Sequence, residues 1–375
     1  MQQYNFNIQH QFGSNDLLEV AYVGSLGRHL ARARNLSEIP LGVGVMNVPA
    51  LAGKTATDKS GLGLNPSCDA SGNCNVQALL INQVVPSTFF QPFQDYNNIQ
   101  QKENTAVSSY SALQANFRHT VGHGLTLQAV YTWSHAIDDS TQTYMQTSGF
   151  IDDQQLSRWK GTSSLNRTQV LQLSYIYELP FFKNSSNKFA KGSLGGWEIS
   201  GISSFFTGEP VDFNCGVSGI SSGIGATVRC NTAGPVKIHK TIANEPGYGP
   251  TLQWWDPNTV TQPTAAQLLA NGEAGMFGYM GRNMLTGPGR NNTDLALLKN
   301  FQLPWFAGEH STLQFRWESF NTFNHTQYQG MNNGCNGNTP FGVSCGAAAY
   351  GNASNGFVNS AWAPRIVQFG LKLIF

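Results

Sequence analysis

Acidic and histidine side chains that could bind a metal or cleave a bond occur at two places in the chain. His135, Asp138 and Asp139 stand close together at the end of an alternating segment, and imidazole with carboxylate oxygens suits a divalent cation. Solvated polar residues at a strand end are the alternative, which we favour. Asp152 and Asp153 form an acid pair, but no partner carboxylate stands at a defined offset to support hydrolysis. We therefore predict no metal site and no catalytic residue.

Aromatic and charged pairs offer a second kind of chemistry, the recognition of a ligand. Trp254 and Trp255 could stack on a sugar or another ring-bearing ligand, or they could form the packed core of a long loop. Arg316 and Glu318 alternate with apolar neighbours and could line a substrate path. These four residues are the candidates for substrate binding.

Motifs of known enzyme classes do not occur in the sequence. There is no nucleophile elbow and no zinc-protease helix motif. The stretch Gly287-Pro288-Gly289-Arg290 is rich in glycine but lacks the Lys-Ser/Thr of a phosphate-binding loop, so we interpret it as a loop entering a strand. We expect neither an enzyme nor a bound cofactor.

The six cysteines form three local pairs inside Gly-, Asn- and Ser-rich stretches. Such pairs predict disulfides and an oxidising compartment. A metal site or free thiols are the alternatives, although no pair has the short gap typical of zinc fingers. The candidate disulfide residues are Cys68, Cys74, Cys215, Cys230, Cys335 and Cys345.

The composition narrows the class of protein. Only 11% of the 375 residues are charged and the formal net charge is +1, so no overall field attracts nucleic acid. No run of 18 apolar residues exists, which excludes a transmembrane helix from the sequence. A transmembrane barrel remains compatible with a mean hydropathy of −0.25, because its strands alternate apolar and polar residues.

The final segment, RIVQFGLKLIF, shows that alternation and has the length of a tilted membrane strand. Its apolar, membrane-facing positions are Val367, Phe369, Leu371, Leu373 and Phe375. Eight similar segments precede it, and we predict strands at about 2–13, 17–30, 109–121, 125–137, 168–182, 196–213, 293–305, 312–328 and 365–375.

Short and long connections take turns between these nine strands. The long ones cover 31–107, 138–167, 214–292 and 329–363, and they contain all six cysteines. Tight turns at one end and large loops at the other are typical of a transmembrane barrel. The sequence thus predicts an all-β fold, an antiparallel transmembrane β-barrel segment. One position conflicts: Lys299 shares the predicted lipid-facing side with Leu297 and Phe301, which requires a bulge or a side chain that reaches the interface.

Several segments together resemble the barrel of TonB-dependent outer-membrane receptors of the Oar-like, acidobacterial type. They are YSALQANFRH, LTLQAVYTWSHAID, LNRTQVLQLSYIYELPF, LGGWEISGISSFFTGEPVDF, GPGRNNTDLALLKNF, LQFRWESFNTFNHTQY and the terminal strand. The resemblance implies a barrel of about 22 strands, of which this chain would be the carboxy-terminal part, with the plug domain absent.

The same resemblance implies a place in the outer membrane and the uptake of a scarce nutrient. Expected partners are outer-membrane lipid, the barrel-assembly machinery through the terminal strand, and TonB through the missing amino-terminal part. We expect no nucleic-acid partner. The alternatives are a secreted or surface β-sheet protein with Trp-rich carbohydrate-binding loops, and a barrel remnant that does not transport.

Overall fold

A computed structural model gives the fold of most of the chain. It describes residues 1–37, 47–48, 74–75, 91–94, 96, 99–121, 124–139, 160–213, 215, 230–232, 234–261, 280–303, 311–335, 344–346 and 354–374. Phe375 and Cys68 lie outside these residues, as do Asp152 and Asp153.

Nine long strands dominate the described residues. They are β1 (Gln2–Phe12), β2 (Asp16–Asn35), β3 (Gln100–Val121), β4 (Leu125–Asp138), β5 (Gln169–Glu178), β6 (Trp197–Phe206), β7 (Arg290–Gln302), β8 (Thr312–Phe320) and β9 (Ile366–Ile374). Each pairs antiparallel with its neighbours in the sequence, so the sheet order is the chain order. The all-β, antiparallel fold predicted from the sequence is confirmed.

One face of this sheet is apolar across all nine strands. Strand register decides this, because residues directly opposite each other point to the same side. Phe315, for example, lies opposite Leu371 on β9, and Trp317 lies opposite Phe369. The apolar face consists of Tyr4, Phe6, Ile8, Leu18, Val20, Tyr22, Leu113, Phe117, Tyr131, Trp133, Leu171, Leu173, Tyr175, Tyr177, Ile199, Leu295, Leu297, Leu313, Phe315, Trp317, Val367, Phe369, Leu371 and Leu373.

Many of the large side chains of this face are exposed. Phe369 and Leu371 are each 72% exposed, and Phe6 is 65% exposed. So extensive an apolar surface is unfavourable in water and suits a hydrocarbon environment.

The opposite face is mostly polar, although Ile176 and Ile202 also lie on it, and some of its polar side chains bond across the strands. Gln128 Nε2 donates to Asn116 Oδ1 at 3.0 Å, and Gln314 Nε2 donates to Asn300 Oδ1 at 3.1 Å. The members of this polar face are Asn5, Asn7, Gln9, Glu19, Gln114, Asn116, Arg118, Gln128, Gln172, Ser174, Glu198, Ser200, Asp294, Asn300, Gln314, Arg316, Glu318, Gln368 and Lys372.

Connections at the two ends of the sheet differ in length. At one end, the short-turn end, β5 and β6 are joined through a single helix, α1 (Lys188–Leu194), whose first turn is capped by the Asn187 side chain. None of the helices in the described part is long and apolar enough to cross a membrane.

The other end, the long-loop end, carries a separate packed unit. The connections β6–β7 and β8–β9 contribute the hairpin Ile238–Glu245/Gly249–Trp255 and the strand pair Tyr328–Met331/Val358–Ala361. We call this unit the lobe. Its buried core is formed by Val211, Phe213, Cys215, Cys230, Leu252, Trp254, Trp255, Val260, Met280, Cys345 and Val358.

Some strands end at other residues than the sequence predicts, because backbone pairing or a turn residue lengthens or shortens them. β2 continues to Asn35 and β3 begins at Gln100, beyond the predicted limits of residues 30 and 109, because ladder pairing extends past two register shifts. β8 ends at Phe320 rather than near residue 328, since Asn321 has a left-handed φ of 49°. The loops predicted at 214–292 and 329–363 contain the strands of the lobe, except that Tyr328–Met331 begins one residue before the second loop.

Lys299 is accommodated without a bulge. Its register with Trp197 on β6 and Phe315 on β8 is continuous. The side chain is buried, and its ammonium donates to the Gly195 carbonyl at the short-turn end while lying 5.4 Å from the Trp197 ring centroid. Of the two explanations that the sequence left open, the structure shows no bulge at Lys299, and the side chain instead reaches the backbone of the turn before β6.

Candidate functional site

A cavity of about 420 Å³ lies where the lobe meets the long-loop ends of β6 and β7. We call it the junction cavity. Phe206 and Arg290 line it from the sheet; they lie opposite each other in the register and on the side of the polar face. Tyr328 and Trp362 line it from the lobe. The cavity therefore connects the polar face with the lobe.

Two glycines bring the walls of the junction cavity together. A Cβ on Gly208 would lie 1.9 Å from the carbonyl oxygen of Gly287, which shows how closely the chain leaving β6 passes the chain entering β7. Gly287 N in turn donates to Glu209 O at 2.8 Å. The glycine-rich segment is thus a loop entering a strand, since β7 begins at Arg290.

The charges around the junction cavity balance. Arg167 pairs with Glu209, while the Arg290 guanidinium lies 4.5 Å from the centroid of the Trp362 ring. Asp212 accepts from the backbone N–H of Asn283. Two arginines and two acids leave no net charge, so hydrogen bonds and aromatic faces are what the cavity offers a ligand.

Arg290 carries an unused donor. Among the described residues, its buried Nε has no hydrogen-bond partner. A buried donor without a partner requires an explanation, and a ligand or water in the adjoining cavity would supply one.

Sequence reasoning missed the residues that build the turn after β8. Gln327 Oε1 accepts from Asn291 N at 2.7 Å and its Nε2 donates to Asn291 O. The Gln327 side chain thus binds the backbone groups of Asn291 as a neighbouring strand would. Asn321 N donates to Asp294 Oδ1 at 2.8 Å, and its amide donates to His325 O at 3.1 Å. The only available signal was the Asn-rich composition of the segment.

Trp254 and Trp255 lie in the core of the lobe. Trp255 is 0% exposed and its indole donates to Asn355 Oδ1 at 2.9 Å. The indole of Trp254 donates to Thr286 O at 2.9 Å, and Lys240 Nζ lies 5.0 Å from its ring centroid. Because protein atoms occupy both rings, the structure favours the packed-core interpretation over stacking on a ligand.

Arg316 and Glu318 lie on the polar face and bond to each other. Arg316 Nη1 and Glu318 Oε1 are 3.3 Å apart, and Gln368 donates to the other oxygen of Glu318. They lie on β8 and do not line the junction cavity. Their role in a substrate path stays a prediction.

His135, Asp138 and Asp139 each have protein partners. Asp138 pairs with the buried Arg282, and Asp139 Oδ1 accepts from Val107 N at 2.9 Å. Burial raises the pKa of the Asp139 carboxyl, and the hydrogen bond from Val107 opposes that rise. A shared cation would need Asp138 to release Arg282. The solvated-rim interpretation fits the exposed His135, whereas Asp138 and Asp139 are buried.

Four of the cysteines meet in the core of the lobe. Cys215 is bonded to Cys230 and Cys335 to Cys345, which agrees with two of the three predicted pairs. The third pair includes Cys68, which lies outside the described residues.

The fold defines the class of this protein. A continuous apolar face, a polar opposite face and long loops at one end only are features of membrane-spanning antiparallel β-sheets of the barrel type. A family model described as "Outer membrane beta barrel domain" matches residues 1–368, and the chain belongs to this family. The protein is therefore an outer-membrane protein of the β-barrel type.

Similarity to individual proteins is weaker. Among solved structures, the outer membrane transporter YddB from Escherichia coli matches with a TM-score of 0.39 and 8% identity. The match covers 98% of this chain and 32% of that one, so the chain spans about a third of that transporter's length. No curated protein matches the sequence.

Proposed function

We propose that the chain is the barrel portion of a TonB-dependent, Oar-like receptor that takes up a scarce nutrient. The observation that carries this proposal is the junction cavity, since it joins an external lobe to the polar face along which a solute would pass. Arg290 and Trp362 would contact the nutrient at this entrance. Arg316 and Glu318 would contact the nutrient further along the polar face.

The proposal includes partners and excludes catalysis. Outer-membrane lipid would cover the apolar face, and the barrel-assembly machinery would engage β9. TonB would act through a plug domain supplied by other parts of the receptor. The chain would bind and pass its substrate without chemical change, and it would need no cofactor.

Uptake by whole cells of the natural host tests the proposal. We expect deletion of the gene to abolish uptake of one labelled nutrient, with siderophores, cobalamin, glycans and peptides as the panel. Loss of TonB should have the same effect. Complementation with Arg290→Gln should lower uptake about tenfold at equal surface abundance, because one charge-assisted contact is lost.

Three outcomes would contradict the proposal. Uptake that persists without TonB would exclude energised transport. Lost surface binding of a carbohydrate with unchanged uptake would favour a surface binding protein. A deletion that changes neither binding nor uptake of any panel member would favour a barrel remnant.

A further inference from the structure

The four cysteines of the lobe core form a single cluster built from two loops. Cys215 and Cys230 come from the β6–β7 connection, and Cys335 and Cys345 come from the β8–β9 connection. Their four Sγ atoms all lie within 4.8 Å of one another. Between the loops, Cys215 Sγ lies 3.2 Å from Cys335 Sγ and 3.7 Å from Cys345 Sγ.

These separations between the loops are close to those of a tetrahedral metal site. Zn²⁺ binds thiolates at about 2.3 Å, and tetrahedral geometry then places the sulfurs about 3.8 Å apart. Two disulfides that serve only to close their own loops, with spacings of 15 and 10 residues, do not require the four sulfurs to meet.

A common backbone frame holds three of the four cysteines. Cys230 directly precedes the strand Asn231–Thr232, which pairs with Val260–Thr261. Cys345 N donates to Val260 O at 2.8 Å, and Cys215 Sγ lies 3.6 Å from Thr261 O. Cys215, Cys230 and Cys345 are at most 1% exposed, so the frame presents their sulfurs within a water-poor core.

We propose that this cluster binds one Zn²⁺ ion as a tetrathiolate when its cysteines are reduced. Two disulfides take up four electrons from a thiol reductant, or from a phosphine that becomes its oxide, and four protons from the thiol or from water. The four thiols that result lose four protons when the ion binds. The metal-bound form and the two disulfides exclude each other. The ion joins the two loops, whereas each disulfide closes one loop on itself.

Metal content of the full chain, purified in detergent under reducing conditions without chelator, tests this site. We expect one Zn²⁺ per chain for the wild type after gel filtration with one added equivalent. The matched control Cys68→Ser/Cys74→Ser, which keeps the cluster, should also retain one. Cys215→Ser/Cys345→Ser, which removes one ligand from each loop, should lower the affinity for Zn²⁺ more than about 100-fold.

A second probe distinguishes the site from adventitious binding. Co²⁺ should give the visible absorption of tetrahedral thiolate coordination in the wild type, and oxidation to two disulfides should abolish it. Reduced wild-type chain that binds no Zn²⁺, or the same stoichiometry and affinity in the Cys215→Ser/Cys345→Ser variant, would overturn the proposal. If that variant misfolds, Cys335→Ser replaces the partly buried ligand, and the same loss of affinity is expected.

Discussion

At the scale of residues, Lys299 shows that the length of a side chain can decide where its charge lies. Lys299 belongs to the apolar face by register, yet its ammonium bonds the Gly195 carbonyl at the short-turn end of the sheet. A charge on the lipid-facing side is destabilising by about 2–4 kcal/mol at the midplane and by about 0–1 kcal/mol near the interface. The position of Lys299 close to the end of β7 is therefore what makes it tolerable.

Moving this charge deeper into the membrane should destabilise the barrel. We expect Leu297→Lys combined with Lys299→Leu to lower the free energy of unfolding by about 2 kcal/mol, because position 297 shares the face but lies further from Gly195. Lys299→Leu alone should change it by less than about 1 kcal/mol. Urea unfolding in lipid vesicles measures both, and equal effects would contradict the explanation.

The neighbours Asp138 and Asp139 should respond to substitution in opposite directions. Because burial raises the pKa of Asp139, the folded state holds its proton to higher pH than the unfolded state. Its contribution to stability therefore decreases as the pH rises from the ordinary aspartate pKa through the raised one. Asp139→Asn should remove this decrease and stabilise the protein at neutral pH, since the amide oxygen can still accept from Val107.

The matched control is Asp138→Asn. It removes the charged partner of the buried Arg282 and should destabilise by about 3 kcal/mol at neutral pH. Unfolding measured between pH 4 and pH 8 compares the two. An Asp139→Asn variant that keeps the wild-type pH profile would contradict the burial effect.

At the scale of elements, close backbone approaches and turn residues fix where strands end. β6 stops at Phe206 because the chain then crosses the segment that enters β7, with room only for glycine at position 208. β8 stops at Phe320, where Asn321 turns the chain and bonds both Asp294 and His325.

Adding one methyl group at this crossing should have a large effect. Gly208→Ala should destabilise the outer end of the sheet by about 2 kcal/mol or more, because its Cβ would overlap the Gly287 carbonyl. Gly192→Ala in α1 is the control, since its Cβ meets no atom within 4 Å and alanine favours helix by about 1 kcal/mol. Similar free energies of unfolding for the two variants would show that the backbone can move apart to accept a Cβ at position 208.

At the scale of the whole molecule, the sheet and the lobe differ in where they place their apolar residues. The sheet leaves the large apolar residues of one face exposed, whereas the lobe buries its own around Trp255. Damage to the lobe core should therefore leave the membrane-spanning sheet folded.

Trp255→Ala tests this separation. It removes the largest side chain that is fully buried among the described residues, together with the bond to Asn355, which should destabilise the lobe by about 3–5 kcal/mol. We expect faster proteolysis of the lobe with unchanged heat-modifiable gel mobility of the barrel. Tyr248→Ala is the control, because Tyr248 is 80% exposed in the hairpin turn. Loss of the gel shift in Trp255→Ala would show that the two parts fold together.

The sequence by itself determined the class of fold and the facing of the strands. Alternation of period two is a local property, so Val367, Phe369, Leu371 and Leu373 could be assigned to one face before any pairing was known. The alternation of short and long connections likewise predicts which end of the sheet carries the long loops, and the lobe lies at that end.

Only the tertiary structure decided the site. The junction cavity joins Arg167, Arg290 and Trp362, which lie far apart in the sequence and share no period or motif. The same holds for the bond between Trp255 and Asn355 and for the four cysteines, whose two pairs come from separate loops. Such contacts depend on how two long loops pack against each other, and no local pattern encodes that packing, whereas the strands follow from the neighbours of each residue along the chain.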